Sequence, residues 1–404
     1  MPSQRSFGVD AISLSVPRGY VELADLATAR GVPAAKYVEG LGVTRMAVAA
    51  AYEDPVALAA NAARRLFATS GRAPSEIGLC IVGSETAVDH SKPIAAWVHR
   101  LVGLPATCRS YETKHACFGA TAGVLTALDW LASGAARGRS ALVVATDIAR
   151  YGVASPGEPT QGAGAVAILL SENPRLVDLE VGASGSFTRD VDDFWRPLHS
   201  KDAIVDGHYS VTCYLDALTG AYTAWRALGA GEQGALDRCC YHVPYGKMAR
   251  KAHRHRLALD ADHEAVVDES ALDVSFRREV ASSLVLPALV GNIYTGSLWL
   301  ALASLLHVES EIIDGARVGL FSYGSGCTAE FFAGRVVPGA GAFARLLGLT
   351  APIEARAPLT VAQYETIRRA DGAVDRSEVG TMIPPDDGRV AFLGVDNDRR
   401  VYRA

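Results

Sequence analysis

Cys117 is the residue of this chain whose neighbours best suit covalent chemistry. Lys114 and His115 precede it, and small residues followed by an apolar stretch with helical periodicity come after it. The pattern predicts that Cys117 lies where a turn enters a helix. Unpaired backbone N–H groups and the positive end of the helix dipole favour a thiolate there, so we expect a lowered thiol pKa and a nucleophile. The alternative is a buried, inert cysteine.

A nucleophilic cysteine needs a partner that moves protons, and Glu85 is the first candidate. It closely follows Ile77–Gly83, an apolar run that predicts a buried strand. Ligand sites form at the carboxyl ends of strands in α/β sheets. A carboxylate in that setting can have a raised pKa and act as a general base. The alternative is a helix-capping or loop carboxylate.

His242 is the second candidate, since it follows an apolar strand end and precedes a proline turn. A histidine there could polarise a carbonyl or donate a proton. Five basic residues follow it at about helical spacing, which suits phosphates or an acidic protein partner; they are Lys247, Arg250, Lys251, Arg254 and Arg256. The alternative is a solvated helix face.

Two glycine-containing segments could hold a carbonyl oxygen or an oxyanion. Asn292 follows Gly291, and Gly324 and Ser325 belong to a Gly-Ser-Gly turn after the predicted strand Arg317–Tyr323. An asparagine amide and the exposed N–H groups of a glycine turn are suitable donors. Neither segment fits the dinucleotide-binding or P-loop patterns.

The composition excludes several classes of protein. The chain has 404 residues and a net charge of −5, which argues against a general nucleic-acid surface. Its seven cysteines are scattered without a CxxC, which argues against a disulfide framework or a zinc site. No signal peptide is visible, and no apolar run approaches the roughly 18 to 20 residues of a membrane span. We therefore expect a cytoplasmic protein with no metal or redox cofactor.

Strand-like and helix-like runs alternate along the chain, which predicts α/β layers. Ala141–Thr146 and Gly164–Leu170 indicate further strands, and an apolar helical stretch from Val280 to Leu306 is broken at Gly291. Similar glycine turns precede one apolar strand in each half, a weak sign of internal duplication. Residues 184–220 are richer in polar residues and suggest an inserted, partly irregular region.

Taken together, these segments resemble the 3-hydroxy-3-methylglutaryl-CoA synthases, members of the thiolase superfamily. The matching motifs span nearly the whole chain in order; they are Glu53–Pro55, Glu85, Lys114–Gly123, Ala145–Tyr151, Glu158–Ala167, Asp193–Pro197, His242–Lys247, Gly291–Thr295 and Phe321–Gly326. The resemblance implies a thiolase-like fold in which two duplicated αβαβα halves form a five-layered αβαβα sandwich. We place these halves at residues 1–172, with Cys117, and 173–404, with His242 and Asn292.

The resemblance also implies a role for each site residue. Cys117 would take an acetyl group from a thioester, Glu85 would remove a proton from its methyl group, and His242 would bind a β-ketoacyl thioester and act as acid at its ketone. Water would then free the product. Substrate-positioning roles fall to Asn292, Tyr151, Gly324, Ser325 and Lys247.

The family includes two kinds of enzyme, which differ in the carrier of the acceptor. One kind uses acetoacetyl-CoA on the route to mevalonate. The other adds a carboxymethyl branch to a β-ketoacyl chain on an acyl carrier protein in polyketide assembly lines. Local sequence around Cys213, Lys251 and Cys327 favours the carrier-protein kind, whereas Lys247 fits either. The substrates would be CoA or phosphopantetheine thioesters, and the superfamily is usually homodimeric.

Two other classes remain to be distinguished. Ketoacyl synthases and thiolases of the same superfamily pair the cysteine with two histidines, or with a histidine and a second cysteine, and lack an upstream glutamate. Glu85 therefore favours the synthase. A catalytically inactive scaffold that only docks carrier proteins is disfavoured because Cys117, Glu85 and His242 occur together.

Overall fold

A computed structural model describes residues 5–229, 234–261, 267–370 and 384–404 of the chain. Most strands of the described residues belong to one ten-stranded sheet. The strands are β1 (Phe7–Ser15), β2 (Gly19–Glu22), β3 (Arg45–Val48), β4 (Ile77–Gly83), β5 (Arg109–Thr113), β6 (Ser140–Ile148), β7 (Ala163–Glu172), β8 (Val177–Leu179), β9 (Gly185–Thr188), β10 (Phe194–Trp195), β11 (Ile204–Val205), β12 (Arg238–Tyr241), β13 (Arg317–Gly324), β14 (Thr328–Val336), β15 (Ala357–Pro358), β16 (Ala391–Asp396) and β17 (Arg399–Arg403).

Helices alternate with these strands as the sequence predicts. They are α1 (Leu23–Ala29), α2 (Ala34–Leu41), α3 (Pro55–Ser70), α4 (Ile94–Val102), α5 (Gly119–Ala132), α6 (Gly207–Ala227), α7 (Gly246–Asp260), α8 (Glu269–Glu279), α9 (Val285–Val290), α10 (Ser297–Val308), α11 (Ala340–Leu346), α12 (Ala351–Glu354) and α13 (Val361–Ala370). In the described part of the chain, no helix has both the length and the apolar character needed to cross a bilayer.

The large sheet contains the same arrangement of strand order and direction twice. Its order is β12-β13-β14-β8-β1-β7-β6-β4-β5, and β9 also pairs with β14. In the first half β4 lies parallel to β6, which runs antiparallel to β7, and β7 pairs with β1. In the second half β12 lies parallel to β13, which runs antiparallel to β14, and β14 pairs with β8. The two glycine turns noted in the sequence occupy equivalent β6–β7 and β13–β14 connections.

The strands that carry the site are completely buried. Every residue of β4, β6 and β13 is buried. Such strands read as continuous apolar runs because both faces are covered. Their rigidity fixes the residues that follow them, and those residues form the site.

The polar region at residues 184–220 is less irregular than the sequence suggests. From Gly207 onward it forms the first two-thirds of α6, a 21-residue helix. Asp206 caps this helix by accepting a hydrogen bond from the N–H of Tyr209 at 3.1 Å. Buried residues at helical spacing, including Cys213, Ala217 and Ala221, pack one face of the helix into the core. The expectation of an irregular insertion is therefore wrong for residues 207–220. The boundary between residues 172 and 173 stays a prediction.

Candidate active site

Cys117 lies in a turn that immediately precedes α5, as predicted. Phe118 caps the helix, and α5 begins at Gly119. The preceding residue, Ala116, has a φ of 39°, in the left-handed region. Such a conformation costs an alanine on the order of 1–3 kcal/mol, and strained turns of this kind cluster at functional sites. The turn holds the thiol at the end of the first-half sheet.

The thiol of Cys117 donates a hydrogen bond to Oε1 of Glu85 at 3.3 Å. Burial and the adjacent Glu85 carboxylate raise the pKa of Cys117 well above its usual value. The expected lowering of the pKa by the helix terminus is therefore wrong for this state of the site. Low-dielectric surroundings and a neighbouring negative charge both disfavour a thiolate, and they outweigh the helix dipole. The resting cysteine is a thiol with a base already in contact.

Asp147, at the end of β6, fixes the loop that carries Glu85. Its Oδ1 accepts hydrogen bonds from the backbone N–H groups of Glu85 and Thr86 at 2.9 and 3.0 Å, and from the Thr86 hydroxyl at 2.8 Å. Its Oδ2 accepts from the N–H and hydroxyl of Thr295 at 3.1 and 2.5 Å. Asp147 thereby joins the strand ends of the first half to the segment after Asn292.

The side chain of Glu85 is only 7% exposed, and its carboxylate accepts far fewer hydrogen bonds than that of Asp147. Burial, followed by the charge of Asp147, raises the pKa of Glu85, and the Arg196 guanidinium opposes this shift. Arg196 donates to the backbone carbonyl of Glu85 at 2.7 Å and lies 3.4 Å from its Oε2. A carboxyl group in such surroundings is a base for which removing a proton from carbon is feasible near neutral pH.

Two tyrosines complete the surroundings of this carboxylate. Tyr151 is buried, and Cys117 and Glu85 lie close enough to raise the pKa of its hydroxyl further. Tyr294 is completely buried, and its neighbours include the same two residues. We call the following five residues the nucleophile cluster: Glu85, Cys117, Tyr151, Arg196 and Tyr294.

Asn292 is oriented by its own segment. Its Oδ1 accepts from the N–H of Tyr294 at 2.9 Å and from the hydroxyl of Ser297 at 2.8 Å, while Ser297 accepts from the N–H of Ile293. Because the oxygen receives two donors, the side-chain nitrogen remains as the donor of the amide. Asn292 is linked to the nucleophile cluster because its Oδ1 binds the backbone N–H of Tyr294, a member of the cluster, and because the next residue, Thr295, binds Asp147.

His242 directly follows β12, at the corresponding strand end of the second half. Tyr241 pairs with Phe321, and the N–H of His242 donates to the Phe321 carbonyl at 2.8 Å. The adjacent Ser322 hydroxyl bonds to Thr121 in the first turn of α5 at 2.9 Å. The register therefore places His242 beside the end of β13, whose next residue, Ser322, contacts the helix that Cys117 precedes. Burial lowers the pKa of His242 to about 3, so the imidazole is neutral near pH 7.

Gly324 lets the second half approach the cysteine turn closely. A Cβ atom at this position would lie 2.5 Å from the carbonyl oxygen of His115 and 2.7 Å from the backbone nitrogen of Phe118. Any larger residue would push the strand away from the turn. Ser325 follows in the half-buried turn between β13 and β14. The predicted Gly-Ser-Gly turn thus lies against the residues that flank Cys117.

Lys247 does not join the nucleophile cluster. It is exposed at the second position of α7. The basic residues of this helix also differ from the expected free cationic surface. Arg250 and Arg254 pair with Glu269 of α8, and Arg256 is buried against Glu279 and Asp260. Only the lysines are fully exposed; they are Lys247 and Lys251.

Behind these lysines, α7 and α8 share a buried polar network. His253 contacts the Tyr241 hydroxyl at 3.2 Å and the Ser275 hydroxyl at 2.8 Å, and Ser275 donates to Glu279 at 3.0 Å. Arg256 donates to the other oxygen of Glu279 at 2.7 Å. We call these five residues the α7–α8 network. It holds the helix that follows His242 in place.

Sequence reasoning did not single out Asp147, Arg196 or Tyr294. Each lies inside a motif quoted above, and Asp147 directly follows the predicted strand Ala141–Thr146, which was the available signal. The roles of Arg196 and Tyr294 depend on chain segments about one hundred and two hundred residues from Glu85. No local pattern reveals such a contact.

Comparisons with known proteins agree with this architecture. The model of the hydroxymethylglutaryl-coenzyme A synthase N-terminal domain matches residues 3–174, and that of the C-terminal domain matches 177–273 and 257–378. The hydroxymethylglutaryl-CoA synthase of Enterococcus faecalis is 36% identical over 400 residues, covering 98% of this chain and 100% of that protein. The polyketide biosynthesis 3-hydroxy-3-methylglutaryl-ACP synthase PksG of Bacillus subtilis is 34% identical over 382 residues, covering 91% and 89%. A solved structure of MvaS in complex with 3-hydroxy-3-methylglutaryl coenzyme A superposes with a TM-score of 0.92 at 46% identity, covering 99% of each chain.

The fold and the cysteine–carboxylate pair define a condensing enzyme with a thiolase-like fold. The chain belongs to the hydroxymethylglutaryl-CoA synthase family. It is therefore a carbon–carbon bond-forming acyltransferase that acts on thioesters.

Proposed function

We propose that this enzyme adds the carbon of a Cys117-bound acetyl group to the ketone of a β-ketoacyl thioester carried by CoA. The contact between the Cys117 thiol and Oε1 of Glu85, at 3.3 Å, carries the proposal. It places the atom that would hold the acetyl group next to the base that would activate it. Holding both in one geometry removes much of the entropic cost of the second encounter.

Acetylation begins with the thiol. Cys117 Sγ attacks the carbonyl carbon of an acetyl thioester while its proton passes to Glu85. The carbon–sulfur bond of the donor breaks, and the departing thiolate takes the proton. Glu85 is then ionised again and faces the methyl group of the acetyl-enzyme.

Condensation uses the same carboxylate a second time. Glu85 removes a methyl proton, and the resulting carbon nucleophile attacks the acceptor ketone. His242 is neutral because burial lowers its pKa to about 3, so it acts as a hydrogen-bond donor that polarises the ketone. This refines the expected acid role. The new alkoxide takes up the proton that Glu85 removed from the methyl group, so Glu85 is ionised again and the proton balance closes. Water then cleaves the thioester at Cys117.

The substrate-positioning residues keep the roles inferred from the resemblance. The side-chain nitrogen of Asn292 supplies a donor, Tyr151 lines the acetyl pocket, and the turn at Gly324 and Ser325 lies where backbone donors would meet an acyl oxygen. Lys247, exposed on the helix that follows His242, would contact the charged end of the carrier.

The charges of α7 support CoA as the carrier. Lys247 and Lys251 are exposed one turn apart on the helix that follows His242. Two adjacent ammonium groups suit the compact phosphates of CoA. Docking of an acidic carrier protein favours a broad complementary surface. Here α8 neutralises Arg250 and Arg254, and Arg256 is buried.

The second candidate is condensation on an acyl carrier protein, the carrier favoured by local sequence. PksG, named as an ACP synthase, is 34% identical and supports this alternative. Both carriers present the same phosphopantetheine thioester, so the chemistry at Cys117 is identical.

A four-way condensation assay tests the proposal. Acetyl donors and β-ketoacyl acceptors are each supplied on CoA and on a phosphopantetheinylated carrier protein, and the acetyl mass on the Cys117 peptide is measured separately. We expect acetylation and turnover with both substrates on CoA. Turnover only with carrier-bound acceptor would replace CoA by the carrier protein. No acetyl mass from either donor would refute the enzyme mechanism.

We also propose that two copies associate through β5. This strand ends the large sheet and pairs only with β4 among the described residues. An unpaired edge is a ready template for another strand. Light scattering should give twice the mass of the chain, and a monomer at micromolar concentration would refute this association.

A further inference from the structure

A cavity of about 530 Å³ lies beside the nucleophile cluster. Its lining includes Glu85 and Arg196 of the cluster, and Ala116, the residue that precedes the nucleophile. The cavity therefore reaches the edge of the place where an acyl group on Cys117 would lie. A space of this size is within the range of pockets that hold small molecules. An acetyl group alone does not need it.

The ring of Phe194 lies between this cavity and the nucleophile cluster. Phe194 is one of the residues that line the cavity. It also packs edge-on against the rings of Tyr151 and Tyr294, with centroids 6.3 and 5.9 Å apart. Aromatic rings prefer edge-to-face contacts at such distances. We call these three residues, Tyr151, Phe194 and Tyr294, the aromatic wall.

The aromatic wall borders the place where the methyl group of an acetyl-enzyme would lie. That methyl group must lie between the Cys117 sulfur and the Glu85 carboxylate, which is 3.3 Å from it at Oε1. Tyr151 and Tyr294 both interact electrostatically with these two residues, so their side chains flank the same space. A longer acyl donor carries a carbon atom in place of one methyl hydrogen. That additional carbon would meet the aromatic wall.

The residues on either side of Phe194 hold its ring in place. Asp193 is completely buried, and its carboxylate accepts a hydrogen bond from the hydroxyl of Tyr323 at 2.7 Å. Arg196, two residues after Phe194, donates to the backbone carbonyl of Glu85 at 2.7 Å. Because the segment is anchored on both sides, moving the ring aside for a larger substrate would cost these contacts.

We propose that Phe194 is a specificity-determining residue, which restricts the acyl donor to acetyl thioesters by closing the acyl site toward the cavity. This inference rests on the proposed function of Cys117 and Glu85, and it specifies the donor. Without the ring, an alkyl chain could extend into the cavity. Several apolar side chains there would suit such a chain; they are Val88, Ile148, Trp195, Leu198 and Phe392. Discrimination of one methylene by a packed apolar site amounts to about 10- to 200-fold.

Acylation by CoA thioesters of different length tests this role. Wild-type and Phe194→Ala proteins are incubated separately with acetyl-CoA, propionyl-CoA and butyryl-CoA, and the initial rate of mass gain on the Cys117 peptide is measured. The step is the same for each donor: Sγ attacks the carbonyl carbon, the bond from that carbon to the CoA sulfur breaks, and the CoA thiolate takes the proton.

We expect the wild-type protein to favour acetyl-CoA over propionyl-CoA by about 10- to 200-fold. F194A should lose most of this preference, and butyryl-CoA should label it as well, because the cavity has room for the longer chain. The ratio of two rates measured on one protein separates specificity from stability, since unfolded molecules lower both rates equally.

Two further variants complete the test. Phe276→Ala removes a half-buried ring of α8 that packs edge-on against His253, and it should keep the wild-type ratio. Phe194→Leu retains part of the side-chain volume and should give an intermediate ratio, which keeps the test decisive if F194A does not fold.

An unchanged ratio in the folded Phe194 variants would overturn the inference. Equal wild-type rates with acetyl-CoA and propionyl-CoA, or the same loss of preference in F276A, would also overturn it. Failure of acetyl-CoA to label wild-type Cys117 would instead count against the proposed function.

Discussion

The nucleophile cluster and the α7–α8 network both bury ionisable side chains, but they differ in how fully those groups are paired. In the α7–α8 network, Arg256, Glu279 and His253 each have side-chain hydrogen-bond partners. In the nucleophile cluster, the hydroxyl of Tyr294 has no hydrogen-bond partner among the described residues, whereas an arginine Nε lacks one in both regions, on Arg196 and on Arg256. Both regions carry the desolvation cost of burial.

This difference suits the α7–α8 network to a structural role and the nucleophile cluster to a chemical one. A buried network in which every side chain is hydrogen-bonded to another member gains rigidity, and removing one member leaves another charge unpaired. A cluster with an unpaired hydrogen-bond donor can still bind a ligand that brings an acceptor. The nucleophile cluster also contains a carboxylate with a raised pKa, that of Glu85. Changes in the first region should therefore act on stability, and changes in the second on rate.

The largest effect is expected from Glu85→Ala. Loss of a general base typically costs 10²- to 10⁴-fold, and here the same group serves two steps, so we expect condensation to fall by about 10⁴-fold. Acetyl mass should still accumulate on Cys117, more slowly, because water can accept the thiol proton. Glu172→Ala, at an exposed pair with Arg5, is the control. Condensation at the wild-type rate in E85A would remove Glu85 from the mechanism.

Arg256→Met should destabilise the protein without changing its chemistry. It breaks a buried pair and leaves Glu279 partly uncompensated, which costs about 3 kcal/mol in the free energy of unfolding. Arg250→Met, in a more exposed pair, should cost less than about 1 kcal/mol. Denaturant unfolding measures both. A folded R256M protein with strongly reduced kcat would show that the network also serves catalysis.

Two substitutions should move the pH dependence of condensation in opposite directions. In the proposed mechanism Glu85 is the base, so the rate should rise with pH as Glu85 ionises, and its raised pKa places this rise above the usual carboxyl range. Arg196→Gln removes a stabilising positive charge and should shift the rise by about one pH unit to higher pH. Asp147→Asn removes a negative charge and should shift it to lower pH. Shifts in the same direction would contradict the assignment to Glu85.

The smallest effect is expected outside both regions. Removing both exposed lysines of α7, as Lys247→Ala with Lys251→Ala, should raise KM for CoA substrates about tenfold and leave kcat nearly unchanged. Arg277→Ala, at an exposed cation of α8, is the matched control. An unchanged KM for CoA in the double variant, with a raised KM for carrier-bound substrate, would favour the carrier protein.

Sequence patterns predicted the helices and strands well in segments that are apolar along their whole length. Ile77–Gly83 is a strand with the expected limits, and α5 begins two residues after Cys117. The patterns failed where tertiary context decides. Residues 207–220 are polar on one face and helical, because the buried spacing of the other face packs onto the sheet. The thiol pKa of Cys117 was expected to fall, but it depends on the burial and charge of Glu85, which no local pattern encodes.

The sequence indicates the local setting of each candidate site residue better than it indicates the contacts of that residue. In the structure Cys117 lies in a turn before a helix, and Glu85 and His242 follow strand ends; the sequence indicates both settings. The support given to Glu85 by Asp147 and Arg196 arises from segments far apart in the chain. Periodicity reports which face of an element is buried; it does not report which distant side chain lies opposite.

The protonated state of Cys117 has a consequence for the lifetime of the enzyme. Oxidation to sulfenic acid and alkylation both require thiolate character and access. A thiol whose pKa is raised well above its usual value resists these reactions at rest. Reactivity appears only when a thioester substrate accepts the attack. The nucleophile is thus protected from peroxides between turnovers by the same carboxylate that, in the proposed mechanism, would later activate its acetyl group.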